Sequence, residues 1–340
     1  MEVYTIRDIA RIAGVSVTTV SRVLNHQPDV NSDTRRRVQQ VIQDCHFIGN
    51  SNARGLKQNL KVIGVVIRGH SNPFLNSLAE ALLDLGESSR AHFMTEYIDE
   101  KDDEFLTALH MTQQNRLRGL IFVGSLIDER VKVIHGMDLP VVFTTVNAKN
   151  ASLPRASSVA IDDRAMGLAV GRKLLKLGHR HIGFFGSNPV AGDSLAMRYQ
   201  GFLDACAEFQ VPFDPAFYRE TRFSRQEGYD LTKRFLEEHP ETTALFTMSD
   251  NLALGAMRAI YDLGKSVPED ISVFGFDGID MGRFMIPRLT TVVQPVEEIA
   301  RVSMQLLREL ALEHAEPRHV VLDAALRMGE SVGLPRQQSC

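Results

Sequence analysis

The chain has 340 residues, 44% of them hydrophobic and 24% charged, with a net charge of -4 and no Trp. That composition excludes collagen-like repeats, low complexity and wholesale disorder, and the length suits about two domains. No run of 18 apolar residues occurs, so no membrane-spanning helix is expected, and three widely spaced cysteines, Cys45, Cys206 and Cys340, form neither a disulfide framework nor a metal spacing and fit a reducing cytoplasm.

The first residues, Met1 to Asp8, lack a basic region followed by an apolar run, so no secretory signal is expected. Residues 1–61 hold nine Lys/Arg against five Asp/Glu, although the whole chain is acidic. A basic head on an acidic body suits a head that meets a polyanion; a chance fluctuation in a few charges gives the same pattern.

Residues 5–45 read as three short helices. Thr5, with Asp8 three residues on, is an N-terminal capping signature, and Ile6, Ile9, Ala10 and Ala13 recur at helical spacing. Gly14 stops that helix, because glycine takes the left-handed conformation of a sharp exit. Ser16 caps a second helix, with Val20, Val23 and Leu24 inward. A polar loop from Asn25 to Asn31 leads to a third, with Val38, Val41 and Ile42 inward. The first two helices, joined through Ala13-Gly14-Val15-Ser16, make a helix-turn-helix. The second helix of such a motif enters the DNA major groove. Its outward face carries Val17, Thr18, Ser21 and Arg22 and no acid. Arg22 suits guanine O6 and N7, Val17 and Thr18 suit thymine methyls, and Ser16, Thr19, Ser21 and Asn25 suit phosphate oxygens. A small helical bundle without DNA is the plainer alternative. The run Arg35-Arg36-Arg37 fits a solvated face as well as it fits phosphate contact.

The runs Thr5-Ile6-Arg7-Asp8-Ile9-Ala10, Ala13-Gly14-Val15-Ser16 and Thr19-Val20-Ser21-Arg22-Val23-Leu24-Asn25 resemble the headpiece of the LacI/GalR family of bacterial transcription regulators. Val30-Asn31 through Thr34-Arg35 is similar to that family's third-helix start. Phe47-Ile48-Gly49-Asn50 and Ala53-Arg54-Gly55-Leu56 are similar to its hinge. The resemblance implies a hinge helix that forms on DNA, with Leu56 wedged into the minor groove. Gly55 and the absence of proline at Gly49 depart from the family pattern and make hinge ordering depend on DNA. By composition alone, residues 50–58 are a short polar linker. The expected DNA-contacting set is Thr5, Ser16, Val17, Thr18, Thr19, Ser21, Arg22, Asn25, Asn31, Thr34, Asn50, Ala53 and Leu56.

From Val62 onward, short apolar runs alternate with helical patterns. Strands are expected at 62–67, 93–98, 120–123, 141–145, 159–161, 182–185, 244–247 and 271–276, with helices between them. Buried strands alternating with helices predict two doubly wound, parallel-sheet α/β subdomains. Ligands in such folds sit beyond the carboxyl ends of strands. Asn72-Pro73-Phe74, Asp162-Asp163, Ser249-Asp250-Asn251 and Asp277 fall there, and Arg198 opens a helix nearby. These groups suit sugar hydroxyls. Helix capping explains Asp163 and Asp250 equally well, but explains Arg198 and Asp277 less readily.

Asn72-Pro73-Phe74, Leu177-Gly178-His179-Arg180-His181-Ile182, Arg198-Tyr199-Gln200-Gly201-Phe202, Ser249-Asp250-Asn251-Leu252, Gly275-Phe276-Asp277 and Pro287-Arg288-Leu289-Thr290-Thr291 continue the resemblance. It implies a periplasmic-binding-protein-like core. It also implies effector contacts from Arg198 and Asp277, and stacking by Phe223. The expected effector-binding set is Asn72, Phe74, Asp163, Arg198, Phe223, Ser249, Asp250 and Asp277. The expected boundaries are a headpiece over 1–49, a hinge over 50–60 and a core over 61–340. Within the core, one subdomain takes 61–161 and 292–320, the other 162–291 and 321–340.

No dinucleotide, phosphate-loop, zinc-protease or nucleophile-elbow motif is present. His179 and His181 read as a turn before a strand rather than as metal ligands. No catalytic residue, cofactor or metal is expected. The expectation is a cytoplasmic repressor that binds a near-palindromic operator as a homodimer, with a tetramer left open, under control of a sugar or sugar derivative. The alternatives are a purine, nucleoside or protein co-regulator, or a solute-binding protein or enzyme on the same core.

Overall fold

In the computed structural model the described residues are 6–24, 30–44, 62–69, 71–89, 91–151, 153–187, 194–313 and 315–336. The chain forms two compact units, 1–60 and 61–340.

The first unit holds α1 (Ile6–Ala13), α2 (Val17–Leu24) and α3 (Ser32–Asp44). Ile9, Ala10, Ala13, Val20, Val23 and Val38 are buried together, with Val15, Val30, Val41 and Ile42 packed against them. Gly14 takes φ +65°, and the amide of Val15 returns to the Ala10 carbonyl at 3.0 Å, closing α1 with a left-handed cap. Ser16 then caps α2, its Oγ accepting from the Thr19 amide at 3.1 Å. The hinge expected over 50–60 lies outside the described residues, as do the side chains of Ile6 and Leu24.

The second unit is two six-stranded sheets. The first contains β1 (Val62–Arg68), β2 (His92–Ile98), β3 (Leu117–Val123), β4 (Val141–Thr144), β5 (Ala156–Ile161) and β11 (His319–Leu322), in the order β11-β5-β4-β3-β1-β2. The second contains β6 (Ile182–Gly186), β7 (Tyr218–Glu220), β8 (Ala244–Thr247), β9 (Ser272–Asp277), β10 (Thr290–Val293) and β12 (Ala325–Arg327), in the order β12-β10-β9-β8-β6-β7. The helices are α4 (Pro73–Ser89), α5 (Glu104–Gln114), α6 (Asp163–Leu177), α7 (Ser194–Glu208), α8 (Arg225–Glu238), α9 (Asp250–Asp262) and α10 (Val296–Arg308). The chain passes between the sheets after Ile161, after Val293 and after Leu322.

All pairings are parallel except β10 with β12, which is antiparallel. Only two residues separate β11 from β12. That is too short for the crossover a parallel addition requires. β7, β10, β11 and β12, each three or four residues long, fall outside the strands expected from apolar runs, and β7, β11 and β12 lie at the sheet edges.

Each sheet is sandwiched between hydrophobic clusters. Phe105, Phe122 and Phe143 fill one side of the first sheet, with the last two rings stacked at 5.0 Å. Phe184, Phe202, Phe246 and Phe274 fill one side of the second. Burying each such ring contributes about 1.5–3 kcal/mol. Helices α6 and α7 cross with backbone almost in contact. A Cβ on Gly167 would meet the Arg198 carbonyl at 2.0 Å, and one on Gly201 would meet that of Arg164 at 2.0 Å. That crossing fixes where Arg198 emerges.

Candidate functional site: a helix-turn-helix surface and a buried cleft

On the first unit, Val17, Thr18 and Arg22 of α2 are exposed and Thr19 is half-buried. Ser16, Thr19, Arg22, Asn31 and Thr34 line one shallow depression of about 370 Å³, floored by Val15 and Val30. Two of these polar groups also hold the fold. Ser16 caps α2, and the Asn31 Oδ1 accepts from the Asp33 amide at 2.8 Å at the start of α3. In the arginine run, Arg36 pairs with Asp33 at 2.6 Å, both in solvent, an arrangement that contributes little to stability. Of the remaining expected contacts, Thr5, Asn25, Asn50, Ala53, Leu56 and the Ser21 side chain lie outside the described residues.

In the second unit the carboxyl ends of strands from both sheets face a cavity of about 170 Å³. Six of the eight expected residues line it: Asn72, Phe74, Arg198, Phe223, Ser249 and Asp277. Arg198, at the amino-terminal turns of α7, is buried. Its Nε donates to Asp163 at 2.7 Å and its Nη1 to the Met248 carbonyl at 2.8 Å. The guanidinium carbon sits 3.7 Å from the centre of the Phe276 ring. Three neighbours thus fix the guanidinium plane, and Nη2 carries the donors not engaged by Asp163 or Met248. Asp277 closes β9 with φ +114°, in a region side chains rarely adopt. Its carboxylate accepts from Gln294 Nε2 at 2.9 Å. Burial holds the Asp277 carboxyl well above the usual carboxylate range, against the opposing pull of Arg198. Thr145, also on the cavity wall, has φ +71°. Two strained residues on one cavity fit a ligand clamp.

Asp163 and Asp250 do not line this cavity, and neither caps its helix. The caps are Asp162, which accepts from the Ala165 amide, and Ser249, which accepts from the Leu252 amide. Asp163 instead neutralises Arg198 from behind, the two side chains 4% and 6% exposed. Asp250 accepts from the amides of Gly278 and Ile279 at 2.8 Å each and from the Thr291 hydroxyl at 2.6 Å, which holds the turn after Asp277. Burial pushes the Asp250 carboxyl up to about 7.

The cavity has further walls that the sequence reading missed. Arg68, Glu100, Ser125, Thr145, Ser187, Thr221 and Gln294 line it too. They follow or end β1, β2, β3, β4, β6, β7 and β10. The strand-end rule that singled out Asn72 and Asp277 finds all of them when applied to every strand. Polar contacts cross the cleft as well. The Asn251 amide donates across to the Ser71 carbonyl at 3.1 Å and, within its own subdomain, to the Phe223 carbonyl at 3.2 Å, and Ser194 Oγ donates across to the Thr145 carbonyl at 3.2 Å. His179 is a structural residue. Its ring bridges Thr243 Oγ1 at 2.9 Å and the Gly333 carbonyl at 3.0 Å. Among the described residues no group of three His, Cys, Asp or Glu side chains is placed to hold a metal, and no helix is long and apolar enough to cross a membrane.

Residues 5–50 match the family of bacterial regulatory proteins named for lacI, and residues 171–332 match the periplasmic binding protein-like domain. The HTH-type transcriptional regulator MalR of Clostridium butyricum is 34% identical over 326 residues, covering 94% of this chain and 97% of its own. The HTH-type transcriptional repressor PurR of Haemophilus influenzae is 31% identical, covering 90% of each chain. The lac repressor dimer bound to operator and the anti-inducer ONPF superposes with a TM-score of 0.74 at 27% identity, over 98% of this chain and 100% of that one. A LacI-family regulator from Enterococcus faecium with bound ribose superposes with a TM-score of 0.69 at 27% identity, over 81% and 99%. With its helix-turn-helix head and its periplasmic-binding-like core, the chain belongs to the LacI family and is a DNA-binding transcription regulator rather than an enzyme.

Proposed function

We propose that this regulator is a cytoplasmic repressor that grips a near-palindromic operator as a homodimer, and that a sugar or sugar derivative in the cleft sets its grip. The observation that carries the effector reading is that Arg198, fixed by Asp163, Met248 and Phe276, and Asp277 share the wall of one small cavity. A rigid donor beside a buried carboxyl suits vicinal hydroxyls, which both donate and accept. A cavity of about 170 Å³ is smaller than the roughly 300–1,000 Å³ of sites for drug-sized ligands, which favours a molecule of monosaccharide size. Phe74 and Phe223 supply apolar wall against a sugar face. The ribose-bound relative from Enterococcus faecium supports the same class.

Two features support the dimer. The lac repressor relative is a dimer on its operator. In this chain Met281, Phe284 and Ile286 stand 53%, 73% and 96% exposed on one loop, an apolar patch that a second copy would cover. On DNA, α2 would present Val17, Thr18 and Arg22 to base edges, with Ser16, Thr19, Ser21, Asn25, Asn31 and Thr34 at the backbone. The hinge with Leu56 would enter the minor groove. The effector acts by preferring one of two cleft closures; equal affinity for both would change nothing.

The test is a thermal-shift panel of sugars, followed by operator gel shifts with each stabilising compound. A ligand of the native cleft raises the melting temperature and changes operator affinity, and Asp277→Ala removes that response. A variant that responds like the parent would place the effector elsewhere.

A further inference from the structure

Two polar atoms on the wall of this cavity are buried without a hydrogen-bond partner: Nε of Arg68 and Oγ of Ser187. They come from opposite subdomains, at the ends of β1 and β6. A buried unsatisfied donor is costly, and in a binding cleft it marks an acceptor still to arrive. Two nearby acids, Glu104 and Asp128, are engaged by other groups. The Arg68 Nη2 donates to the backbone carbonyl of Glu100. The nearby Glu104 carboxylate accepts instead from Ser125 Oγ at 2.7 Å and the Leu126 amide at 2.9 Å. Asp128 is taken by Arg130 at 2.7 Å. The acids thus hold the guanidinium in place electrostatically and leave its Nε for the cavity.

The setting around these atoms adds to the same sign. The first turns of α4, α7 and α9 bring Phe74, Ser194 and the cap Ser249 to the cavity wall, so three helix N-termini point their partial positive charge at it. Arg198 is the second guanidinium on the wall. Two acids share the wall: Glu100, whose backbone carbonyl holds Arg68, and Asp277, which burial holds towards its neutral form.

Building on the effector reading above, we propose that the ligand is a polyhydroxylated compound bearing an anionic oxygen group, a carboxylate or a phosphate, received by Arg68 and Ser187 while Arg198 and Asp277 hold its hydroxyls. A guanidinium Nε and a hydroxyl both donate to anionic oxygen, and such charge-assisted bonds are about twice as strong as neutral ones. Arg68 is therefore the residue that selects acid over neutral sugar.

The experiment is calorimetric titration of the full-length protein with three matched sets: neutral monosaccharides, the corresponding uronic and aldonic acids, and the corresponding sugar phosphates. At least one acidic set binds tighter than its neutral parents, by about 10- to 100-fold, and the set that does so tells carboxylate from phosphate. R68Q lowers that acid-to-neutral ratio by a similar factor, and S187A lowers it less; the melting temperatures of the unliganded variants confirm that they are folded. Neutral sugars that bind as well as their acids, or an acid preference that R68Q leaves intact, would overturn this assignment while the sugar reading stands. Binding of no member of any set would overturn the sugar reading itself, and this proposal with it.

Discussion

Arg22 on the head and Arg198 in the core are both arginines offered to a partner, and they are built in opposite ways. Arg22 stands exposed on a two-turn helix, beside Ser16, Thr19, Asn31 and Thr34, all contributed by residues close in sequence. Arg198 is buried, and its orientation comes from Asp163, Met248 and Phe276, which lie 35, 50 and 78 positions away. A surface that reads a duplex needs side chains free to reach many phosphates and base edges. A cleft that recognises one small molecule needs groups whose geometry is fixed before the ligand enters. Damage to the two sites should therefore differ in kind. On the head a truncation costs affinity; in the cleft it costs the fold first.

The largest expected effect tests that contrast directly. Asp163→Ala leaves Arg198 buried without its counter-ion and lowers stability by about 3–5 kcal/mol, read as a shifted urea midpoint. The double change Asp163→Leu with Arg198→Met restores most of the loss, because a well-packed apolar pair replaces the ion pair. A single-variant loss below about 1 kcal/mol, the range of exposed pairs, would show that the pair is not desolvated as the structure has it.

Next in size is Arg22→Ala, which weakens specific operator binding by about 1–3 kcal/mol and relaxes base choice at one position per half-site. Its urea midpoint stays at that of the parent. Equal losses on operator and random duplex would argue for a phosphate contact instead. Ser16→Ala follows, at about 1 kcal/mol of head stability, seen in thermal unfolding of the head. This residue joins the two roles, since it caps α2 and lines the outward depression.

The last effect is a slope against pH rather than a single loss. Asp250 has an ordinary carboxylate value of 3.8 and is raised to about 7 by burial. A raised carboxyl means that the folded state binds more protons than the unfolded one between those values. Stability from this group is therefore fully present below 3.8 and declines as pH rises towards 7. The difference in unfolding free energy between the parent and Asp250→Asn should fall over that window. A flat difference would mean that Asp250 is ionised throughout, held by its three donors.

Much of the molecule was legible from residues alone. Capping at Ser16, the left-handed exit at Gly14 and the apolar stripe of Val20 and Val23 are local signals, and they define the helix-turn-helix without reference to distant chain. Alternating apolar runs and helical stripes likewise announced two doubly wound sheets, because a strand buried on both faces shows it in its own composition. Asn72, Arg198 and Asp277, expected at the cleft because strand ends and non-capping charges are visible along the chain, line its wall. Other features were decided only by the packing. Whether Asp163 and Asp250 face the ligand or support those that do depends on which element lies behind them, and adjacent caps at Asp162 and Ser249 took the local role. The antiparallel β12, the cross-cleft grip of Asn251, and the buried, unpartnered Nε of Arg68 arise where segments separated by 32 residues or more along the chain meet. Local periodicity is set by backbone geometry and is written in neighbouring residues; the desolvation and partnering of a polar group are set by whatever the fold brings against it.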